Sequence, residues 1–262
     1  MTRIAWNTAG SRLYEAGVDR GVLYVGAAPG VPWIGLSSVV ESPSGGEPRP
    51  FYIDGVKYLN LPAVEEFEAT IKAFTYPDEF GVCDGSAQAR PGLYVTHQRR
   101  KPFGLSYRTK IGNDLQGVDF AYKIHIVTNA LASPSERSNN TLSDSAEPAD
   151  FTWKITACPP TITGYGRTAH IVIDSRYTHP VKLLDVENML YGSVMDSPRI
   201  PTFDELITLF DDPLTMELID NGDGTYTVIA PNETLVVDSS GSFVLDSPSV
   251  SMVDPDTFTI TS

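Results

Sequence analysis

Four histidines, two cysteines and 33 acidic side chains are what this 262-residue chain offers for chemistry. A metal site needs ligands at short or helical spacing, as in H-E-x-x-H, and His97, His125, His170 and His179 are dispersed without one. His125 and His170 fall inside strand-like runs and read as hydrogen-bonded structural residues. Cys83 and Cys158 have no CxxC partner, so neither a disulfide framework nor a zinc site is indicated. They read as reduced, half-buried thiols of a protein made in a cytosol. Gly164-Tyr165-Gly166-Arg167-Thr168-Ala169 matches a dinucleotide fingerprint by letter, but it precedes a strand, whereas pyrophosphate needs a helix N-terminus. It reads as a turn. Asp220-Asn221-Gly222-Asp223-Gly224-Thr225 lacks oxygen ligands at its third and fifth positions and is better read as a hairpin turn than a calcium loop. Nucleophile-elbow and P-loop motifs are missing too, and pairs such as Glu65/Glu66 and Asp211/Asp212 read as solvated surface. The expectation is no catalytic residue, no cofactor and no metal.

One basic cluster stands out: Arg99, Arg100 and Lys101, followed by Arg108 and Lys110. It is short for a nucleic-acid patch and is set in a nearly neutral region. Docking onto an acidic face of a neighbouring copy is the favoured reading, with a solvated loop as the plain alternative. These five residues are the candidate inter-subunit contacts.

The elements that must position such surfaces are mostly strands. Runs such as GVLYV at 21–25, FGLSYRT at 103–109, DFAYKIHIVTNA at 119–130 and FTWKITA at 151–157 are separated by turn residues. Asp54-Gly55 predicts a two-residue hairpin turn. Within AYKIHIV, the alternation of Tyr122, Ile124 and Ile126 with Lys123, His125 and Val127 predicts one buried and one exposed face. Residues 64–74 fit both periods, and the Tyr-Pro that follows favours a strand. Helices are predicted at 180–191, with Gly192 as C-cap, and at 202–210, where Thr202 and Glu205 form a capping box. Residues 213–262 return to short strands, and 133–150 reads as a long polar loop. The division expected is 1–200 and 201–262.

Apolar residues at 41% and charged residues at 20% fit a folded globular chain and exclude wholesale disorder. No apolar run approaches the roughly 18 residues of a membrane span, and the N-terminus has no apolar signal core. Residues 201–262 carry twelve acids and neither Lys nor Arg, leaving 21 acids against 19 bases in the first 200. A protein that grips DNA needs a basic stripe. That class is disfavoured, although a surface that repels DNA is not.

Several consecutive blocks carry a family signal: AWNTAGSRLYEAGVDRGVLY, ESPSGGEPRPFYIDGVKYLN, TIKAFTYPDEF, QRRKPFGLSYRTKIGND and YKIHIVTNALASPSER. Over about residues 1–192 the chain resembles the major tail proteins, or tail tube proteins, of long-tailed phages of actinobacteria. The resemblance implies a mainly β fold of the tail-tube type: a sandwich or barrel of two packed sheets with a flanking helix. A short helix and an acidic β-rich extension follow at 201–262. It implies a structural virion protein rather than an enzyme, made in the host cytoplasm and assembled into stacked, hexameric rings through which the genome is ejected. Its partners would be copies of itself, a tape-measure protein, the tail terminator and tail-tip proteins, with DNA passing without sticking and no membrane involved.

Six copies each giving four lining strands would close a circle of roughly 48 Å diameter, at about 4.8 Å spacing and about 40° tilt. Such a lumen should be weakly acidic or neutral, since facing cations would hold the duplex. Glu66 and Glu68 are the lumen candidates. The 133–150 and 41–50 loops and the N-terminal arm are the inter-ring candidates, and the acidic extension would face outward. The rival readings are a β-rich adhesin or carbohydrate-binding module, a carboxylate hydrolase, and another virion component such as a neck or tail-terminator subunit.

Overall fold

FTWKITA, the cleanest alternation in the chain, becomes a strand with Trp153, Ile155 and Ala157 buried and Lys154 and Thr156 exposed. A period of two sends successive side chains to opposite faces, so one inward row is enough to fix which face meets the core. The structure, a computed structural model, describes residues 6, 8–61, 65–137, 139, 141 and 150–211, and beyond these only the backbone of strands between 217 and 260. The chain divides into two units, Met1–Leu206 and Ile207–Ser262.

Strands β1 (Tyr14–Tyr24), β2 (Val31–Pro32), β3 (Leu36–Glu41), β4 (Ser44–Gly45), β5 (Arg49–Ile53), β6 (Val56–Leu61), β7 (Glu65–Glu66) and β8 (Glu68–Ala73) come first. A 3-10 turn at Asp78–Val82 leads to β9 (Ala87–Arg90), β10 (Leu93–Val95), β11 (Phe103–Asn113), β12 (Gly117–Ala132), β13 (Phe151–Ala157) and β14 (His170–Asp174). Helices α1 (Pro180–Tyr191) and α2 (Phe203–Asp211) follow. The second unit holds β15 (Glu217–Asp220), β16 (Tyr226–Ala230), β17 (Glu233–Val237) and β18 (Phe243–Val244) in one sheet, and β19 (Val250–Asp254) with β20 (Thr257–Ile260) in another. The architecture is mainly β, as the sequence predicts. The proposed turn at 221–225 and the 142–149 part of the polar loop lie outside the described residues.

The main antiparallel sheet runs β2-β1-β11-β12-β13-β8-β3, with β14 also paired to β12. One edge of β12 pairs with β11, while its other partner changes along its length. Lys123–Val127 pair with β14 and Ala130–Ala132 with β13. The sheet therefore forks into a β1-β11-β12-β14 half and a β12-β13-β8-β3 half. The Trp33 N–H donates to the Gly21 carbonyl at 2.8 Å, drawing the segment before β3 onto β1. Leu23, Ile71, Leu105, Tyr107, Val127 and Trp153 share the resulting core. Phe80 plugs it from the 3-10 turn, its ring centroid 4.7 Å from Trp33 and 5.1 Å from Trp153. The indole nitrogens keep polar partners, Trp33 donating to the Thr75 carbonyl at 3.0 Å and Trp153 to Asp84 at 3.2 Å.

The prediction of one exposed face on β12 is overturned. Ile124, His125, Ile126 and Val127 are all buried. The second sheet half covers one side of β12, and α1 lies over the other side, on the β1-β11-β12-β14 half. Tyr24 donates its hydroxyl to the Leu190 carbonyl at 2.8 Å, and Tyr122 donates to Glu187 at 2.8 Å.

Local signals translate directly. Asp54 and Gly55 take φ of 52° and 76°, the turn between β5 and β6. The ambiguous 64–74 stretch is strand over Glu68–Ala73. The helix at 180–191 forms as expected and ends at Gly192, with φ of 87° and its N–H on the Asn188 carbonyl. At α2 the capping box is reciprocal: Glu205 N–H donates to Thr202 Oγ1 at 3.2 Å, and Thr202 N–H to Glu205 Oε2 at 3.3 Å.

Candidate functional site

The five predicted contact cations separate into two groups. Arg108 donates twice to Asp19, both at 2.8 Å, lies over the Tyr122 ring and stands 3.9 Å from Glu187. The Arg108 guanidinium holds the Asp19 carboxyl below its ordinary range. Lys110 pairs with Asp119 at 3.1 Å. Arg100 stands 3.7 Å from Asp84 and donates to the Ala132 carbonyl at 3.1 Å. These three act within their own chain. Arg99 and Lys101 are exposed and make no ion pair among the described residues.

Of the two lumen candidates, Glu68 accepts from Lys154 at 2.6 Å and from Ser44 at 2.9 Å, which lowers its pKa. Glu66 is exposed on β7, paired to Ser44 of β4. That pairing ties down the glycine-rich 41–50 loop. The outward face of β13 and β8 is polar, with Thr152, Lys154, Thr156, Glu68, Thr70 and Lys72 at its alternating positions. Gly164, with φ of 80°, sits in a turn before β14, so the dinucleotide-like letters hold no helix N-terminus.

Two apolar surfaces escaped the sequence reading. In the β5–β6 ribbon, Phe51 pairs with Leu59 and Ile53 with Val56, so these four share one face with Leu61. All five are exposed, Val56 to 69% and Ile53 to 53%. In the β9–β10 ribbon, Leu93, Tyr94 and Val95 are also exposed. The sheet has open borders as well. Among the described residues, Tyr14–Asp19 of β1 pair only with β11, β14 only with β12, and β3 only with β8.

The structure also gathers a polar cluster that the dispersed histidines did not suggest. His125 enters from β12, His170 from the start of β14 and Glu41 from the end of β3. His125 Nδ1 lies 3.1 Å from His170 Nε2 and 3.3 Å from Glu41 Oε1, and His170 Nδ1 lies 3.8 Å from Glu41 Oε2. Tyr107 donates its hydroxyl to Glu41 Oε1 at 2.7 Å, and Thr109 Oγ1 is 3.0 Å from His125 Nε2. The Tyr107 ring stacks on His125 at 4.6 Å, and Phe67 packs on His170 at 4.9 Å. The hydrogen bond from His125, aided by Tyr107, pulls the Glu41 carboxyl down to about 2 against the opposing effect of burial. Burial pushes His170 below its ordinary value. Glu41 is therefore ionised at neutral pH beside a largely neutral His170. The one sequence signal was parity, since His125 shares the inward row of β12 with Val127.

No family model matches the chain, and no curated protein matches it. Among solved structures, the chain is similar to a component of the sheath-tube complex of an extracellular contractile injection system, PVC, in its extended state. The identity is 15% over 59% of this chain and 88% of that one, with a TM-score of 0.31. It is similar to a chain of the anti-feeding prophage cap, with 12% identity over 67% of this chain and 97% of that one and a TM-score of 0.31. A chain of the anti-feeding prophage baseplate shares 10% identity over 65% of this chain and 97% of that one, with a TM-score of 0.34.

Proposed function

We propose that this chain is a structural subunit of a phage-type tail tube, which assembles with copies of itself into stacked rings. The observation that carries the reading is the pairing of open sheet borders with an apolar ribbon left in water. Unpaired strand edges invite other strands, and natural proteins cover or charge them when association is unwanted. Here the borders at β1, β3 and β14 are left for neighbouring copies, and the ribbon face of Phe51, Ile53, Val56, Leu59 and Leu61 supplies an apolar contact. The sequence blocks that resemble tail tube proteins supply the kind of assembly.

In this reading the polar face of β13 and β8 lines the lumen, because α1 lies over a face of the β1-β11-β12-β14 half. Glu68 offsets Lys154 on that wall, and the exposed Lys72 is balanced only if Glu66 of β7 also faces the lumen, which would bring the wall close to neutral and let duplex DNA slide. Arg99 and Lys101 are the cations available for a neighbour's acidic surface. The second unit faces outward, where its acids repel other tubes. A tape-measure protein, tail terminator and tail-tip proteins complete the particle, and passage of the genome is the working step.

Negative-stain microscopy of the purified full chain tests this. Rings or tubes with a regular axial repeat are expected as concentration rises. A monomer at every concentration and salt condition tried would overturn the assignment.

A further inference from the structure

We propose that Glu41, His125 and His170 bind one divalent transition-metal ion of the zinc type, tying β3 to β12 and β14. Four-coordinate zinc with bonds of about 2.0–2.2 Å separates its ligand atoms by roughly 3.3 Å. Two of the three donor separations are already 3.1 Å and 3.3 Å, and the three donor atoms all lie within 4.8 Å of one another. The donor set, two imidazoles and a carboxylate, suits zinc and its neighbours over calcium or magnesium, which prefer oxygen ligands only.

The surroundings are arranged as a second shell would be. Thr109 engages His125 Nε2, leaving Nδ1 turned towards the site, and Tyr107 holds Glu41 through Oε1. Phe67 and Tyr107 supply apolar walls. Among the described residues no Lys or Arg ion-pairs with Glu41, so its negative charge is met by the two imidazoles and the Tyr107 hydroxyl alone. A cation between the rings replaces their shared hydrogen bond. The His125 proton moves from Nδ1 to Nε2, where Thr109 Oγ1 can accept it, and His170 keeps its proton on Nδ1, so entry of the metal needs no net loss of a proton. The fourth position falls to water.

The test uses the full chain stripped with a chelator and then titrated with zinc alone. One ion per chain is expected, with unfolding raised by about 5 °C or more at a hundredfold excess over Kd. Both effects should disappear in Glu41→Gln and His170→Gln and persist in Glu66→Gln. Cobalt(II) in place of zinc should give the visible absorption of a four-coordinate site. If the variants unfold, ring-nitrogen shifts in the wild-type chain decide: zinc should move two histidines and leave the other two in place. Absence of saturable binding, stabilisation retained in both variants, or shifts at His97 and His179 would each overturn the site.

Discussion

Cys83 and Cys158 differ in a way that a thiol reagent reads directly. Cys83 is buried beside the aromatic core, and loss of solvation pushes its thiol up to about 12. Cys158 follows β13 and is exposed, its N–H donating to the Asn129 carbonyl at 3.2 Å. The thiolate is the reactive form, so at pH 8 one thiol per native chain should react within minutes and the second only after denaturation. Cys158→Ser should abolish the fast phase, and a fast phase that survives would refute this placement. Neither thiol is half-buried as the sequence suggested, because composition carries no information on which side of a strand end a residue falls. The same limit hid Glu41, Tyr107 and Thr109. Each belongs to the His125 cluster through strand pairing or sheet packing across tens of residues, which no local spacing encodes.

At the scale of elements, the β5–β6 ribbon makes the sharpest prediction. Val56→Asp places a charge on its apolar face, away from the core. It should leave unfolding of the subunit within about 0.5 kcal/mol and raise the concentration needed for tube formation at least tenfold, measured by pelleting. Unchanged tube yield would remove the ribbon from the proposed interface. The ribbon was legible as a hairpin because Asp54-Gly55 specifies its turn. Its exposure was not, since FYI and VKYLNL have the composition of core strands. The capping box at Thr202 and Glu205 was equally legible, being complete within four residues. β12 shows the opposite case. Its alternation was real, yet both faces became buried once α1 and the second sheet half packed on either side, and those covers arrive from distant parts of the chain.

At the scale of the molecule, the charge division and the structural division fall close together. The basic-free stretch begins at 201, and the units part between Leu206 and Ile207. The aromatic core of Trp33, Phe80 and Trp153 belongs entirely to the first unit. A chain ending at Asp211 should therefore keep a cooperative thermal transition and its β-sheet circular dichroism. Loss of that transition would show that the first unit depends on the second. Tubes made from the shortened chain should bundle at lower salt than full-length tubes, consistent with outward acidic units.

The uncovered face of the β5–β6 ribbon has a further consequence for timing. Five large side chains half in water, at roughly 1 kcal/mol each when shielded, represent at most about 5 kcal/mol, between three and four decades in association constant. A subunit carrying such a surface has a solubility threshold instead of a fixed state. Below it the molecules remain a dispersed pool. If the chain builds a tube as proposed, each newly made copy above that threshold would find a growing end, and the rate of synthesis would become the clock that decides when the tube begins to lengthen.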